Sequence, residues 1–219
     1  MRRHLKLRIG TLLLGILSPL ATAIPAHAAT TTWVGGGEYG WTDDANWSSG
    51  SPGANDTAVF STDSPHNLEV GILGTSQSVA KIEFSGEVPT SSGRNYVISG
   101  KGLSISEGIE AIMTGAGGDH SVGVSVTLTA DATFKTSGVD TLAIGDDNKT
   151  LDLGSHDLTI DASGGTISIL GEVAGSGKLI KSGDGKLKLL ATPGSGYSGS
   201  IDLSEGVLSI DETFGAANV

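Results

Sequence analysis

One glycine pattern in the sequence has the spacing of a phosphate-binding motif. Residues 194–199 read GSGYSG, the G-x-G-x-x-G spacing with which dinucleotide-binding domains open a helix after a strand. In those domains the pyrophosphate binds at the N-terminus of that helix. Here the next residues, SIDLSEGVLSI, alternate apolar and polar positions, which is typical of strands. We therefore predict that these glycines form corners between strands and that no cofactor binds.

Carboxylates are the second candidate for chemistry. Cleavage of a sugar chain needs several carboxylates or basic groups held side by side on one face of the protein. The aspartates that could supply them are Asp131, Asp140, Asp152, Asp161, Asp202 and Asp211. A solvated outer face accounts for the same residues. We therefore expect these side chains to face solvent, and no catalytic residue is assigned.

Histidines and acidic turns are the third candidate, for metal binding. His66, His120 and His156 are scattered, with no H-E-x-x-H and no cysteine partner, so each is expected to be an exposed turn residue. The turns at 117–119 (GGD) and 145–148 (GDDN) carry the oxygen ligands that calcium prefers. The calcium-binding repeat G-G-x-G-x-D is never complete. No metal site is assigned, and calcium binding stays an open alternative.

The N-terminus has the pattern of a secretory signal peptide. Four basic residues precede an apolar run at 9–24, and Ala26-His27-Ala28 provides the small residues of a cleavage site. We predict a signal peptide over 1–28. The remaining 191 residues carry 9 Lys and Arg against 24 Asp and Glu, a net charge of −15 that disfavours nucleic acid. An exported chain without cysteine must be held together by its core and its strand ladder.

The remainder of the chain predicts an all-β fold of very short strands. Pairs of aliphatic residues recur at a period of two, for example Leu103 and Ile105 or Leu158 and Ile160, separated by turns rich in Gly, Asp, Asn and Ser. Only 5% of residues are aromatic and 34 are glycine. A β-sandwich favours longer strands and a bulkier core, whereas a parallel β-helix favours short strands and small aliphatic stacks. We predict a β-helix whose turns each contain roughly 20–30 residues, a repeat length usual for solenoids.

Residues 175–210 carry a family resemblance. They read GSGKLIKSGDGKLKLLATPGSGYSGSIDLSEGVLSI, which resembles the autotransporter-associated β-strand repeat of large bacterial surface proteins. The matching positions include paired glycines, Lys181, alternating leucines, and Tyr197-x-Gly199. The segment departs from the pattern at 191–193, where the family usually has Gly and Asn. The resemblance implies a right-handed parallel β-helix in which the repeats are scaffold.

The segment after the signal peptide contains all three tryptophans, Trp33, Trp41 and Trp47. It resembles the segment that often begins such proteins. A solenoid exposes strand edges and core at its ends and needs a cap, so residues 29–70 are predicted to be an N-terminal cap and 71–219 the β-helix. The alternative is that exposed tryptophans stack on sugar rings or on a partner.

Together these features predict a non-enzymatic, secreted or cell-surface structural or adhesion module of a bacterial outer-membrane system. The expected partners are a host or matrix surface, a polysaccharide, or other passenger segments, with membrane association only through a C-terminal region missing from this sequence. We expect the chain to be either a fragment of a longer autotransporter or a protein released after export. The alternatives are a carbohydrate-active β-helix enzyme and a β-sandwich binding module.

Overall fold

The protein is an all-β parallel β-solenoid of about six turns. The computed structural model describes residues 28–35, 40–61, 69–72, 75–88, 95–115, 117–138, 140–190 and 196–210. Within these ranges the one helical element is a 3-10 turn at Asp44–Asn46. The same part of the chain contains no helix with the length and apolar composition to span a membrane. The expected β-helix is confirmed, and the sandwich alternative is wrong because the described strands all pair in parallel.

The described strands form two sheets that together wrap the core. An 11-stranded sheet contains β1 (Thr30–Thr32), β2 (Thr57–Ser61), β4 (Gln77–Val88), β6 (Gly102–Gly115), β8 (Ser125–Leu128), β9 (Ala132–Ser137), β11 (Thr150–Asp152), β12 (Leu158–Ser163), β14 (Glu172–Ala174), β15 (Leu179–Ser182) and β17 (Ile201–Leu203). A 7-stranded sheet contains β3 (Glu69–Ile72), β5 (Val97–Gly100), β7 (Asp119–Val122), β10 (Thr141–Ile144), β13 (Thr166–Ile169), β16 (Lys186–Leu189) and β18 (Val207–Ile210).

Successive turns of the solenoid pair in parallel, although the turns differ in length. The shortest separation along the chain between paired residues is that of Thr166 and Lys186, and the longest is that of Glu69 and Val97. Both separations lie within the repeat length predicted from the sequence. Because side chains alternate across a strand, this register places like positions above one another in columns that run along the solenoid.

The core is built from the inward columns. One column of the 7-stranded sheet runs Ile98, Val122, Ile144, Ile169, Leu189, Ile210. A column of the larger sheet runs Ala58, Ile82, Ile109, Phe134, Ile160, Lys181, Leu203. Every aliphatic member from Ala58 to Leu189 is buried. The small aliphatic side chains predicted from the period of two therefore fill the interior as a continuous stack.

The tryptophans lie at the N-terminal end of this stack, where they pack on Phe60 of β2. Trp47 makes edge-on contacts with Trp33 and Trp41, at ring-centroid distances of 5.2 and 5.1 Å, and lies 5.6 Å from Phe60. Its indole Nε1 donates a 2.7 Å hydrogen bond to the carbonyl of Trp41. All three indoles are at most 4% exposed. They have the burial expected of a cap, and they are not the exposed stacking surface of the alternative interpretation.

Candidate functional site

The G-x-G-x-x-G segment forms a corner of the solenoid. Tyr197 forms a parallel bridge with Gly175, and its hydroxyl donates to the carbonyl of Ser200. The element that follows is the strand β17, as predicted, so there is no helix N-terminus on which a pyrophosphate could bind. Gly194 lies outside the described residues.

Among the described residues, a cluster of three ionisable side chains lies on the outer face of the 11-stranded sheet. Lys81 and Glu83 alternate with buried Ile82 on β4, so both point outward. Glu110 of β6 stands in register beside Glu83. The ammonium nitrogen of Lys81 lies 2.8 Å from a carboxylate oxygen of Glu110 and 3.5 Å from one of Glu83. One cation thus bridges two carboxylates on adjacent turns.

The pKa of Lys81 reflects its position between the two carboxylates. Its side chain is only 22% exposed, and burial on its own would lower the pKa of the ammonium group. The hydrogen bond and charge of Glu110, together with those of Glu83, outweigh burial and raise the pKa of Lys81 above its usual value. The group is therefore fully charged at neutral pH.

Further along the same face, opposite charges again meet between turns. Lys135 of β9 follows Glu110 in the outward column and lies 3.7 Å from Asp161 of β12. Lys178 lies 3.3 Å from Asp202 of β17. Exposed pairs of this kind contribute about 0–1 kcal/mol each. Because each of these aspartates lies near a lysine, this part of the outer face carries both charges and is not a row of carboxylates.

Five of the six aspartates considered for catalysis lie in the part of the chain that the structure describes, and these five are dispersed. Asp161 and Asp202 face outward on β12 and β17 in different columns, since Asp161 pairs with Ser182 and Asp202 with Ile180. Asp131 lies at a corner and Asp152 is the last residue of β11, and their carboxylates accept backbone N–H groups of Asp157 and Gly154. Asp211 lies outside the described residues. Asp161 is the member that joins the charged column described above.

Asp140 was expected on the solvated surface, and that expectation is wrong. Its side chain is buried and accepts hydrogen bonds from the backbone N–H groups of Met113, at 2.7 Å, and Gly118, at 2.8 Å. Burial raises the pKa of this carboxyl group, although the two hydrogen bonds act in the opposite direction. Asp140 ties the preceding turn of the chain to the start of β10, which is a structural role.

His120 was expected to be an exposed turn residue, and that expectation is also wrong. It is 2% exposed and occupies a core column with Leu142. Its ring stacks on Phe84, with centroids 4.6 Å apart and planes 4° from parallel, and its Nδ1 accepts the backbone N–H of Tyr96. Burial lowers its pKa from 6.5 to about 4, against a smaller opposing effect of Asp119. The imidazole is therefore neutral at pH 7.

The remaining metal-ligand candidates stay separate. His156 is at a turn, as expected, with its side chain 34% exposed and its Nδ1 3.8 Å from Asp131. His66 lies outside the described residues. In the 145–148 turn, the Asp146 carboxylate accepts the backbone N–H of Asn148. Across the part of the chain that the structure describes, no three His, Cys, Asp or Glu side chains form a group that could hold a metal ion.

Sequence reasoning missed Glu83 and Glu110. A signal was present, since each lies between two apolar residues, in I-E-F and I-E-A, which predicts an outward side chain on a strand. Their proximity depends on the length of the turn that separates them, which brings them into register. Because the turns of this solenoid differ in length, the sequence pattern did not determine which outward residues meet.

The fold and its outer face define a parallel β-solenoid protein. Comparison with models of protein families, with curated proteins and with solved structures gives no match to this chain.

Proposed function

We propose that the chain is a non-enzymatic structural or adhesion scaffold of a secreted or cell-surface protein, of the passenger type suggested by residues 175–210. The observation that carries the proposal is the pairing of charges between turns on the outer face. Lys81 bridges Glu83 and Glu110, and Lys135 approaches Asp161. Charged groups that stabilise the stacking of turns belong to the framework, whereas a catalytic centre needs groups left available to a substrate.

The resemblance of residues 175–210 to the autotransporter-associated repeat supports the passenger-type part of the proposal. The paired glycines of the autotransporter-associated repeat occupy corners of the solenoid at which successive turns approach closely. A Cβ at Gly177 would lie 1.7 Å from the carbonyl oxygen of His156, and one at Gly185 would lie 2.4 Å from that of Gly165. A repeat whose glycines permit unbroken stacking suits an extended scaffold.

The predicted signal peptide supports the proposal of a surface location. The predicted signal peptide over 1–28 and the absence of cysteine fit a secreted bacterial chain that depends on its ladder for stability. A host or matrix surface, a polysaccharide, or other passenger segments would then be the partners of the outer faces.

The alternative function is a carbohydrate-active enzyme, and Glu83 and Glu110 are the specific observation in its favour. Neighbouring strands are about 4.8 Å apart, close to the separation of about 5–5.5 Å between the two carboxyl groups of retaining glycosidases. Both carboxylates, however, are engaged by Lys81. A substrate would have to displace that ammonium group before it could reach either of them.

Polysaccharide cleavage separates the two functions. The exported protein, the double variant E83Q/E110Q and the control E107Q would be incubated with neutral and acidic polysaccharides, and new reducing ends and unsaturated sugars would be measured. Glu107 is an exposed glutamate of β6 outside the bridged trio, which makes it a matched control. The scaffold proposal predicts no cleavage above the blank by any of the three proteins. Cleavage by the unchanged protein and E107Q, lost in E83Q/E110Q, would overturn it.

A further inference from the structure

The 7-stranded sheet has its shortest ladder between β5 and β7. Two residue pairs, at Val97 and Ile98 of β5, join these strands, whereas every other described pair of neighbours in this sheet shares four. The N–H of Ser121 donates to the carbonyl of Tyr96 at 2.8 Å. The N–H of Gly123 donates to the carbonyl of Ile98, also at 2.8 Å. We refer to this short ladder, residues 96–98 against residues 121–123, as the β5/β7 seam.

A histidine side chain completes the seam. In a regular parallel ladder the N–H of Tyr96 would donate to a backbone carbonyl of the next turn. It donates instead to Nδ1 of His120, at a distance of 3.3 Å. A neutral imidazole that accepts at Nδ1 carries its proton on Nε2, and the buried Nε2 of His120 has no hydrogen-bond partner among the described residues. The site is therefore built for a neutral ring.

Protonation removes the hydrogen bond that His120 supplies. In an imidazolium ion both ring nitrogens are donors, so an N–H at Nδ1 would face the N–H of Tyr96. The ring is 2% exposed and lies flat on Phe84, and a buried charge without acceptors is strongly unfavourable. The charged ring must therefore leave its place, and β7 then loses this contact with the segment before β5.

The other ionisable groups near the ring do not replace this effect. Asp119 precedes His120, and its charge opposes burial but has the smaller influence on the pKa of the ring. The side chains next to the ring on the neighbouring strands are Phe84, Tyr96 and Leu142. Of these only the Tyr96 phenol can ionise, and a phenol is neutral in acid. Asp140, whose pKa is raised by burial, binds Gly118 from the turn beyond β7, so its titration does not part β5 from β7.

The larger sheet holds the same two turns together. β4 pairs with β6 from Gln77 to Val88, which is the longest ladder between described strands. The ion pair of Lys81 with Glu110, at 2.8 Å, crosses this ladder. Loss of the β5/β7 seam alone therefore leaves the two turns attached along one side.

We propose that the β5/β7 seam opens when His120 takes up a proton, while β4 remains paired with β6. The two turns then part on one side of the solenoid, with β4 and β6 as the hinge. Such a local opening is a cooperative unit smaller than the whole fold. It exposes the ring of Phe84 and the side chain of Ile98, which are fully buried in the closed chain. Acid thus converts a closed wall of the solenoid into an open apolar one.

Amide hydrogen exchange at pH 7 and pH 4, read by mass spectrometry on the full chain, tests the proposal. Exchange times are scaled for the intrinsic pH dependence of the reaction. The amides of Ser121 and Gly123 are expected to lose protection by about a hundredfold at pH 4, the factor that a pKa of about 4 in the closed state and 6.5 in the open state allows. Amides of β6 and β13 are expected to stay protected.

A disulfide across the seam provides a matched comparison in a chain that has no cysteine. Val97→Cys with Ser121→Cys places two thiols on paired residues of neighbouring strands, about 4.8 Å apart and within disulfide range. The oxidised protein is expected to stay closed at pH 4 and the reduced protein to open. The control, Ala143→Cys with Ser168→Cys, joins β10 to β13 in the same outward column. It is expected to open in both redox states.

His120→Asn tests the trigger itself, because its side-chain oxygen can accept the N–H of Tyr96 without titrating. Its seam is expected to be equally protected at pH 7 and pH 4, whereas His156→Asn should open as the unchanged chain does. The disulfide comparison needs no change at His120 and covers the case in which His120→Asn does not fold.

Four results would overturn the proposal. The first is full protection of Ser121 and Gly123 in the unchanged chain at pH 4. The second is an equal loss of protection in β6 and β13, which would mean that acid unfolds the whole chain. The third is opening of the oxidised Val97→Cys/Ser121→Cys protein at pH 4. The fourth is an undiminished acid response of the folded His120→Asn protein.

Discussion

Gly199 lies directly over the carbonyl oxygen of Gly177, so close that a Cβ at residue 199 would be 2.0 Å from that oxygen. The same Cβ would be 2.9 Å from the ring of Tyr197. This oxygen is part of the backbone of the preceding turn and not the end of a flexible side chain, so it cannot move away cheaply. The third glycine of the GSGYSG segment is therefore required by stacking of the turns.

The first prediction concerns this corner. Gly199→Ala is expected to lower the free energy of unfolding by about 1–3 kcal/mol, the usual scale of overpacking in a closely packed site. Gly196→Ala is the matched control in the same segment, because a Cβ there would lie 3.4 Å from its nearest neighbour, Ala174. Denaturant titration followed by circular dichroism measures both. Equal stability of the two variants would contradict the stacking role of Gly199.

The second prediction concerns Lys181, a cation in a core column. It lies between Ile160 and Leu203 in the register, and its side chain is buried. Its ammonium group donates to the carbonyls of Ser182, Gly183 and Glu205, which belong to two adjacent turns. Burial lowers the pKa of Lys181, although Asp161, Glu205 and Asp184 act in the opposite direction. The ammonium group therefore links two corners of the solenoid, because it supplies hydrogen-bond donors to carbonyl groups that apolar side chains could not satisfy.

Lys181→Met keeps the apolar stem and removes the donors, so unfolding should become easier by about 1–3 kcal/mol. The control Lys178→Met removes a half-exposed ion pair with Asp202 and should change stability by at most about 1 kcal/mol. Thermal and chemical unfolding would be compared for the two. A Lys181→Met protein as stable as the unchanged one would show that the ammonium group does not hold the corners.

The third prediction is an acid sensitivity that arises from His120. Its pKa is about 4 in the folded chain and 6.5 in the unfolded chain, so between these values the unfolded chain binds the proton and the folded chain does not. The free energy of unfolding should therefore fall by up to about 3 kcal/mol from pH 6.5 to pH 4 because of this residue. Asp140, whose pKa is raised by burial, acts in the opposite sense, adding stability as the pH falls.

His120→Asn isolates that contribution, because its side-chain oxygen can still accept the N–H of Tyr96 while the titrating group is gone. The stability of this variant should depend less on pH between 6.5 and 4, whatever its stability at pH 7. His156→Asn, at a partly exposed turn, should keep the pH dependence of the unchanged protein. Identical profiles for His120→Asn and the unchanged protein would mean that His120 does not cause the acid sensitivity.

The fourth prediction concerns the tryptophan cluster. Trp41→Ala and Trp47→Ala should each cost about 3–5 kcal/mol, the range for removing a large buried ring, and together they should lower the melting temperature strongly. Adhesion of the folded protein to a surface, measured below that temperature, should not depend on these rings, because they are buried. An unchanged melting temperature with lost adhesion would show that the rings act in binding and not as a cap.

The sequence predicted the architecture well because the fold repeats a local rule. Aliphatic residues at a period of two and glycine-rich corners fix strands and turns without knowledge of distant contacts, so Leu158 and Ile160 could be assigned to the core correctly. The same rule overstates burial in the last described strands. Leu203 and Ile210 follow the same pattern but are 53% and 44% exposed, because no described turn lies above them.

The period-two pattern of the sequence could not predict which side chains contact each other between turns. His120 and Asp140 were judged by residue type, and a polar type usually faces solvent. His120 alternates with Val122 and Val124, so the period of two favoured an inward position, and the stack on Phe84 completes it. Glu83 and Glu110 show the same limit, because an outward side chain is a local property whereas its neighbour on the next turn depends on the length of that turn.

Surface display tests the central claim, that the chain is a scaffold presented outside the cell, most directly. The complete chain, with its own N-terminal segment and with an epitope inserted after Ala29, would be fused ahead of a bacterial outer-membrane translocator. Antibody binding would then be measured on intact cells and on lysed cells. A surface scaffold predicts that the epitope is fully accessible on intact cells and that residues 1–28 are absent from the displayed protein. An epitope detected only after lysis would contradict it.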